Sequence, residues 1–457
     1  MIGWVVTAVT AACALLFAGI GAEWLRSRPQ RGVLVLAGLL PFSGLLLLVP
    51  QYGFLAGWKE ALSIVCALAA LVSPHSARRQ GSSQWPSWIL PLVGLAALGV
   101  VSLLITSRGI ATLGFKIMFF YTILPAVLWR CPFDERERDR LVTILMATGF
   151  VTAVFGIVQQ VLGGDRLAAL GWNWNTTLRT SGGRLRSIST FALPFPFAFY
   201  MMLVLLVGLA VSLQEPSRLR NRLFLYATPV LLVGMVTAIV RGAIIGLAVG
   251  LGYLAITRHK VLLHGAALGL VGLLFLPASF TKVFTSSSSL NERQAGWSQT
   301  VGRIVSEPLG GGIGSVGAAA EKNFVDPTDK LGSSVLPRPG RPYHPDNQFV
   351  AVGLQLGVGG LWLFVLMLRG ALRDGRRAAA RAGARDAALA HGIVASVVAA
   401  IASAMVATYW EVFPLDAYFW LLLGVVSSIP LAWSTTPLPS APVVAAYRRT
   451  SAISSVP

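Results

Sequence analysis

Apolar and polar positions along this chain fall in long blocks, without the short periods of a soluble helix or strand. Apolar runs lie at 2–22, 32–50, 54–73, 87–106, 109–129, 141–163, 188–213, 223–240, 241–257, 262–279, 347–368, 387–408 and 413–433. Most are close to the ~20 residues that cross a bilayer's hydrocarbon core. They predict an all-α polytopic membrane protein with about 12–13 transmembrane helices. The last two runs can also pair as one helical hairpin. Almost no linker separates 223–240 from 241–257, so a tight turn is required at Val240–Arg241. The blocks divide the chain into 1–279, ten spans with a shorter outer loop at 164–187; 280–346, a large polar loop; 347–433, the closing spans; and 434–457, a tail. The first run is followed by Glu23 and Arg26 with no small-residue cleavage pattern, so it is expected to be a retained helix and not a signal peptide.

Composition agrees with the blocks. Charged residues are 12% of the chain and apolar residues 55%, against roughly 25% and 45–50% in soluble domains. A net charge of +19 suggests nucleic acid at first. The position of the basic residues excludes it, because most of them flank apolar spans, where water and anionic lipid head groups are partners enough. The alternate connections 23–31, 74–86, 130–140, 214–222, 258–261 and 369–386, with the tail, hold most of the 37 lysines and arginines. That side is expected to be cytoplasmic, with the C-terminus inside and the N-terminus outside. Cys13, Cys66 and Cys131 are scattered and imply neither a disulfide framework nor a metal motif.

The other side should then be poor in arginine, yet Arg108, Arg166, Arg179, Arg184, Arg186, Arg241, Arg293, Arg303, Arg338 and Arg341 fall there. Long loops escape the positive-inside rule, but Arg241 in its short turn and Arg184 and Arg186 beside the seventh span do not belong to the longest one. Guanidinium forks suit phosphate oxygens, so a phosphate-bearing lipid in the outer leaflet is a candidate substrate. The alternative is pairing with anionic lipid, or with Asp165, Glu292 and Glu307.

The polar stretch from Lys282 to Asn347 completes a pattern. In order come R-x-x-S-T-F from Arg186, Arg241 opening a span, E-R-x-x-x-W from Glu292, P-L-G-x-G-I-G from Pro308, then H-x-D-N-x-F from His344 and Q-x-G-x-G-G from Gln355. Over roughly 180–370 the sequence resembles the O-antigen ligase and O-antigen polymerase superfamily of bacterial cell-surface polysaccharide assembly. The resemblance implies a GT-C-like glycosyltransferase architecture in the bacterial inner membrane, with its active site on the periplasmic side. It implies transfer of a glycan from an undecaprenyl-pyrophosphate-linked donor to a sugar hydroxyl. Ligases use a lipid A-core acceptor, and polymerases another carrier-linked repeat. Arg186, Arg241 and Arg293 match the family's loop arginines, and His344 its loop histidine. Arg184, Lys59, Asp346 and Asn347 join the expected substrate-binding set. Three positions depart from the family pattern: Val240 stands before Arg241, Leu193-Pro194-Phe195 replaces Asn-Pro-Asn, and Pro345-Asp346 separates His344 from Asn347. The last leaves His344 and Asp346 as alternatives for the catalytic position.

Glycosyl transfer from a pyrophosphate needs a base for the acceptor hydroxyl and charge stabilisation for the leaving group. Histidine titrates near neutral pH and suits the first task; arginines shielded from water suit the second. A lone loop histidine is usually a surface residue, but His344 lies just before a span, within reach of a membrane-held pyrophosphate. No metal and no cofactor is expected, because the loop's one close acidic pair, Asp326 and Asp329 in V-D-P-T-D-K, reads as a turn.

Gly310, Gly311, Gly312 and Gly314 follow no strand and lack a Walker lysine, so they predict a flexible loop of close backbone approach and not a phosphate cradle. Trp172 and Trp174, in G-W-N-W-N, suit sugar contact or a place at the membrane interface. Lys59 either snorkels to the head groups or reaches the carrier pyrophosphate. Lys116 lies deeper, with no role legible beyond a buried pair. A transporter of lipid-linked glycan is the reading from another class, but no internal repeat supports it.

Overall fold

In a computed structural model of the chain, residues 23–73, 85–104, 106–174, 177–262, 300–323 and 343–434 are described. Among them, eight helices are long and apolar enough to cross a membrane, and three more apolar helices are shorter. Each lies on one of the expected spans, so the chain is an all-α multi-pass membrane protein. The expected spans 2–22 and 262–279 lie outside the described residues, the second save for Leu262.

The helices are α1 (Pro29–Leu39, continued as a 3-10 helix to Leu48), α2 (Trp58–Val72), α3 (Ile89–Val101), α4 (Arg108–Phe119), α5 (Ile123–Arg130), α6 (Glu135–Leu162) and the short α7 (Gly164–Ala169). A two-stranded hairpin follows, β1 (Arg179–Ser181) and β2 (Arg184–Arg186), with Arg179 opposite Arg186. Then come α8 (Pro194–Gln214), α9 (Leu219–Thr237), α10 (Arg241–Thr257), the short α11 (Ala318–Asn323), α12 (Gln348–Arg381), α13 (Ala384–Ala404) and α14 (Leu415–Ser434). In lipid a helix satisfies its own backbone, which is why apolar runs of this length fold this way.

Apolar on every side, α8 is the central helix, with 94% of its spanning window buried among α6, α9, α10 and α13. Small residues set how closely those neighbours pack. A Cβ on Gly246 would lie 2.8 Å from the carbonyl oxygen of Ala399, and one on Gly250 3.1 Å from that of Ala395. The alanine-rich run at 387–408 is thus a packing surface, and α13 is 78% buried.

Ion pairs gather the expected cytoplasmic connections at one end of the bundle. Arg138 grips Asp386 through Nε and Nη2 at 2.7 and 2.6 Å. Arg218 and Arg220 hold Asp139 at 2.7 and 2.8 Å, Arg385 reaches Glu215, and Arg258 donates to Gln214 at 2.7 Å. Arg28 lies 3.8 Å from Asp134, which caps α6 in a reciprocal box with Glu137. The opposite, loop-bearing end holds the expected outer connections.

Between β2 and α8 the chain runs as buried, irregular backbone, tolerable inside a membrane protein only when every polar group is paired. Gln159 does much of this. Its Oε1 accepts from the amides of Ile188 and Ser189 at 3.0 and 2.7 Å, and its Nε2 donates to the Ser189 carbonyl at 2.9 Å. Ser187 Oγ donates to Gly156 O, Ser189 Oγ to Thr152 O and Thr190 Oγ1 to Pro41 O. Gly44 permits the crossing, since a Cβ there would sit 2.2 Å from the Phe191 carbonyl carbon. Gln159→Leu orphans three buried backbone groups, and a loss of about 3 kcal/mol is expected in chemical-denaturant unfolding.

Candidate functional site

A loop wider than the gap between the runs 387–408 and 413–433 organises the loop-bearing end. Residues 405–414 join α13 to α14, and two glutamines one face apart on α12 hold them. Gln348 Oε1 accepts from the amides of Tyr409 and Trp410 at 3.0 and 3.1 Å. The Nε2 groups of Gln348 and Gln355 donate to Glu411 Oε1 at 3.2 and 3.0 Å, and the Ala318 amide donates to its Oε2 at 3.2 Å. A buried carboxylate with three donors thereby locks α11, α12 and the 405–414 loop together.

The glycine run docks on the same scaffold. Helix α12 breaks at Gly357, with φ 67° and ψ −170°. The carbonyls of Leu354 and Gln355 accept the amides of Gly311 and Gly312 at 2.8 and 2.9 Å, while Gln355 Oε1 accepts that of Gly314 at 2.7 Å. Gly310, Gly312 and Gly314 all have positive φ, and Thr106 Oγ1 donates to the Gly311 carbonyl at 2.9 Å. The close approach expected from sequence is present, and this part of the loop is tethered at several points along its length.

His344 stands against this frame, its side chain 22% exposed. Nε2 lies 3.3 Å from Thr408 Oγ1, and Nδ1, buried without a hydrogen bond, faces Glu321 Oε2 of α11 at 3.8 Å. Asp346 is half-buried two residues on. Burial, and then the Asp346 charge, push the Tyr343 phenol above its ordinary range against an opposing hydrogen bond with Thr300. Asn347 is the N-cap of α12. Its Oδ1 accepts from Phe349 and Val350 amides, and its Nδ2 donates to the Met405 carbonyl at 2.9 Å. The expected substrate contact from Asn347 meets an amide already used at both ends.

The arginines come from the other side of that loop. Arg186 Nε donates to the Ala238 carbonyl at 3.2 Å, and its guanidinium covers the Phe195 ring at 4.8 Å from the centroid. The three-residue turn Ala238–Val240, with Ile239 at φ 52°, delivers Arg241 to the start of α10, as the missing linker required. The next carbonyl, of Gly242, accepts from Ser403 Oγ at 2.9 Å, two residues before Met405. Contacts therefore run from Arg186 through the Arg241 turn and the end of α13 to His344. Arg184 is exposed on the hairpin, and Arg293, Asp326 and Asp329 lie outside the described residues. Among the described residues, no three His, Cys, Asp or Glu side chains gather as a metal cage.

The tryptophans divide. Trp172 is 3% exposed and packs with Leu167, Leu178 and Ile188, whereas Trp174 is 40% exposed. Of the two, Trp174 has the exposed ring.

Lys59 is turned inward. Its Nζ donates to the Ala56 carbonyl at 2.6 Å, lies 3.3 Å from Glu60 and sits 4.8 Å from the Phe413 ring centroid. Glu60 also pairs with Lys116 at 2.9 Å, and the Lys116 side chain is half exposed, so the expected buried pair is buried on the glutamate's side alone. Lys322 of α11 completes a group of three lysines. Although that residue is exposed as a whole, atoms packed around its amine, then the charges of Lys116 and Lys59, hold it below the usual lysine range. A base so shifted loses its proton at lower pH than ordinary lysines. Mild acylation with pH raised stepwise is expected to modify Lys322 at lower pH than the lysine of an unstructured control peptide, as peptide mapping would show.

No protein-family model matches the chain, and no curated protein matches it. The motifs and this geometry are the grounds for a functional reading.

Proposed function

We propose that the protein is a metal-independent glycosyltransferase of the O-antigen ligase type, acting at the periplasmic face of a bacterial inner membrane. The donor is a glycan on undecaprenyl pyrophosphate, and the acceptor is a hydroxyl of lipid A-core. The observation that carries this reading is the contact chain joining Arg186, Arg241 and His344 around the 405–414 loop. Three residues far apart in sequence, each suited to one part of the reaction, are thus linked through their neighbours at the loop-bearing end.

In this reaction His344 Nε2 takes the proton from the acceptor hydroxyl as its oxygen bonds to the anomeric carbon. The bond from that carbon to the pyrophosphate oxygen breaks, and the carrier pyrophosphate leaves with the electron pair. The Thr408 hydroxyl, 3.3 Å from Nε2, supports this role, since it shows that a hydroxyl can approach that nitrogen. Arg186 and Arg241, with Arg293 from the large loop, hold the growing negative charge in fixed positions, which in a partly dry site is worth far more than in water. Trp174 offers a sugar platform.

Arg241→Ala is expected to weaken binding of the lipid-linked donor by about 10²-fold, the worth of a bidentate charged contact. Unchanged donor affinity by microscale thermophoresis would remove Arg241 from the pyrophosphate site. Polymerisation onto another carrier-linked repeat uses the same parts, and the product separates the two. Capped lipid A-core marks a ligase, and longer carrier-linked chains mark a polymerase.

A further inference from the structure

The ion pairs at the basic end surround a cavity of about 420 Å³, where α6, α9 and α13 begin. Arg136, Arg138, Arg140, Arg218, Arg220 and Arg385 line it. Some are spent on pairing: Arg138 on Asp386, Arg218 and Arg220 on the shared Asp139, and Arg385 on Glu135 and Glu215. Six guanidiniums thus face four carboxylates around one space. Among the described residues no carboxylate forms an ion pair within 4 Å of Arg136 or Arg140, although the charges of Glu137 and Arg140 act on each other. Arg220 Nη2 is buried with no hydrogen-bond partner.

The helices make this surplus harder to explain as structure alone. A helix begins at the positive end of its dipole, where cations are disfavoured and anions held. Here arginines occupy the first turns of three helices, and α9 and α13 start with no side-chain cap. Arginines serving only to orient the chain in a membrane could point into water or head groups from any connection. These line a common cavity within the ~300–1,000 Å³ of small-ligand sites.

We infer that this cavity is a binding site for a phosphomonoester or pyrophosphate group, separate from the proposed donor site at the other end of the bundle. The forks of Arg136 and Arg140, which hold no ion pair within 4 Å, and the unpartnered Arg220 Nη2 supply the donors, and the two uncapped helix starts add their amides. Such a ligand would tie α6, α9 and α13 together and stabilise the bundle by mass action. A phospholipid head group and a soluble phosphorylated molecule share this chemistry, so the test uses one probe for each.

The protein is the full chain carrying Arg186→Ala and Arg241→Ala, so that the proposed donor site does not contribute. In nanodiscs of phosphatidylcholine, inorganic pyrophosphate is titrated calorimetrically. In mixed nanodiscs, co-purifying phosphatidic acid is counted by native mass spectrometry. Binding of either probe, weakened about tenfold or more by adding Arg136→Gln and Arg140→Gln, is the expected result. Pyrophosphate alone would mark a soluble ligand and phosphatidic acid alone a lipid. Both added substitutions are at exposed positions, and an unchanged unfolding temperature without ligand shows that the fold survives. Failure of both probes to bind, or binding untouched by the two substitutions, overturns the assignment.

Discussion

His344→Ala is expected to lower the rate of glycan transfer by about 10²–10⁴-fold, the usual worth of a positioned general base. The protein should still insert and fold. The imidazole is at the rim of the site, 22% exposed, with a single hydrogen bond to Thr408, so its removal leaves no large cavity and no buried charge. Donor affinity should change little, because the proposed pyrophosphate contacts belong to arginines on other elements. Asp346→Asn is the necessary companion, since Asp346 lies two residues away and competes for the same role. Transfer that survives His344→Ala and fails in Asp346→Asn would move the base to Asp346. Transfer that survives both would remove the acid–base mechanism from this loop.

Gly357→Val is expected to destabilise the fold by about 3 kcal/mol or more. At φ 67° a β-branched residue is strained wherever it stands. A Cβ here would also lie 1.9 Å from the Pro308 carbonyl oxygen and 3.0 Å from the Gly310 amide nitrogen. Either the break in α12 closes or the glycine loop leaves its seat, and both outcomes disturb the Gln355–Glu411 contact. Gly359 provides the control, since nothing lies within 4 Å of a Cβ there. Gly359→Ala is expected to be neutral or slightly stabilising. Equal unfolding temperatures for the two variants would refute the role given to the break.

The helices were legible because lipid leaves an apolar run few options. That alternate connections share one end of the bundle was legible from the spacing of the runs, and Arg138, Arg218, Arg258 and Arg385 meet their partners at that end. The tight turn before Arg241 was forced by the absence of a linker. What escaped is polar chemistry placed inside apolar stretches. Gln159 and Gln160 were two amides in the span 141–163, with nothing local to show that they clasp the segment 25 to 30 residues away. Glu411 fell in the short gap between the runs 387–408 and 413–433, to which the sequence pattern assigned no role. A single carboxylate between two aromatic residues and a valine, in a membrane protein, was the available signal. Gln348 and Gln355 could have been paired with it by their seven-residue spacing on one helix face. Trp172 and Trp174 differ by two positions and by nothing local; only the satellite core around Leu167 and Ile188 decides which is buried.

The most direct measurement is transfer by the purified protein in proteoliposomes, with an undecaprenyl-pyrophosphate-linked glycan, lipid A-core, a chelator and no ion gradient. The expected result is lipid A-core capped with glycan, lost in His344→Ala and in Arg241→Ala. Contradiction would be the absence of any capped or extended product from both substrates, with the donor instead moving between leaflets when a gradient is applied.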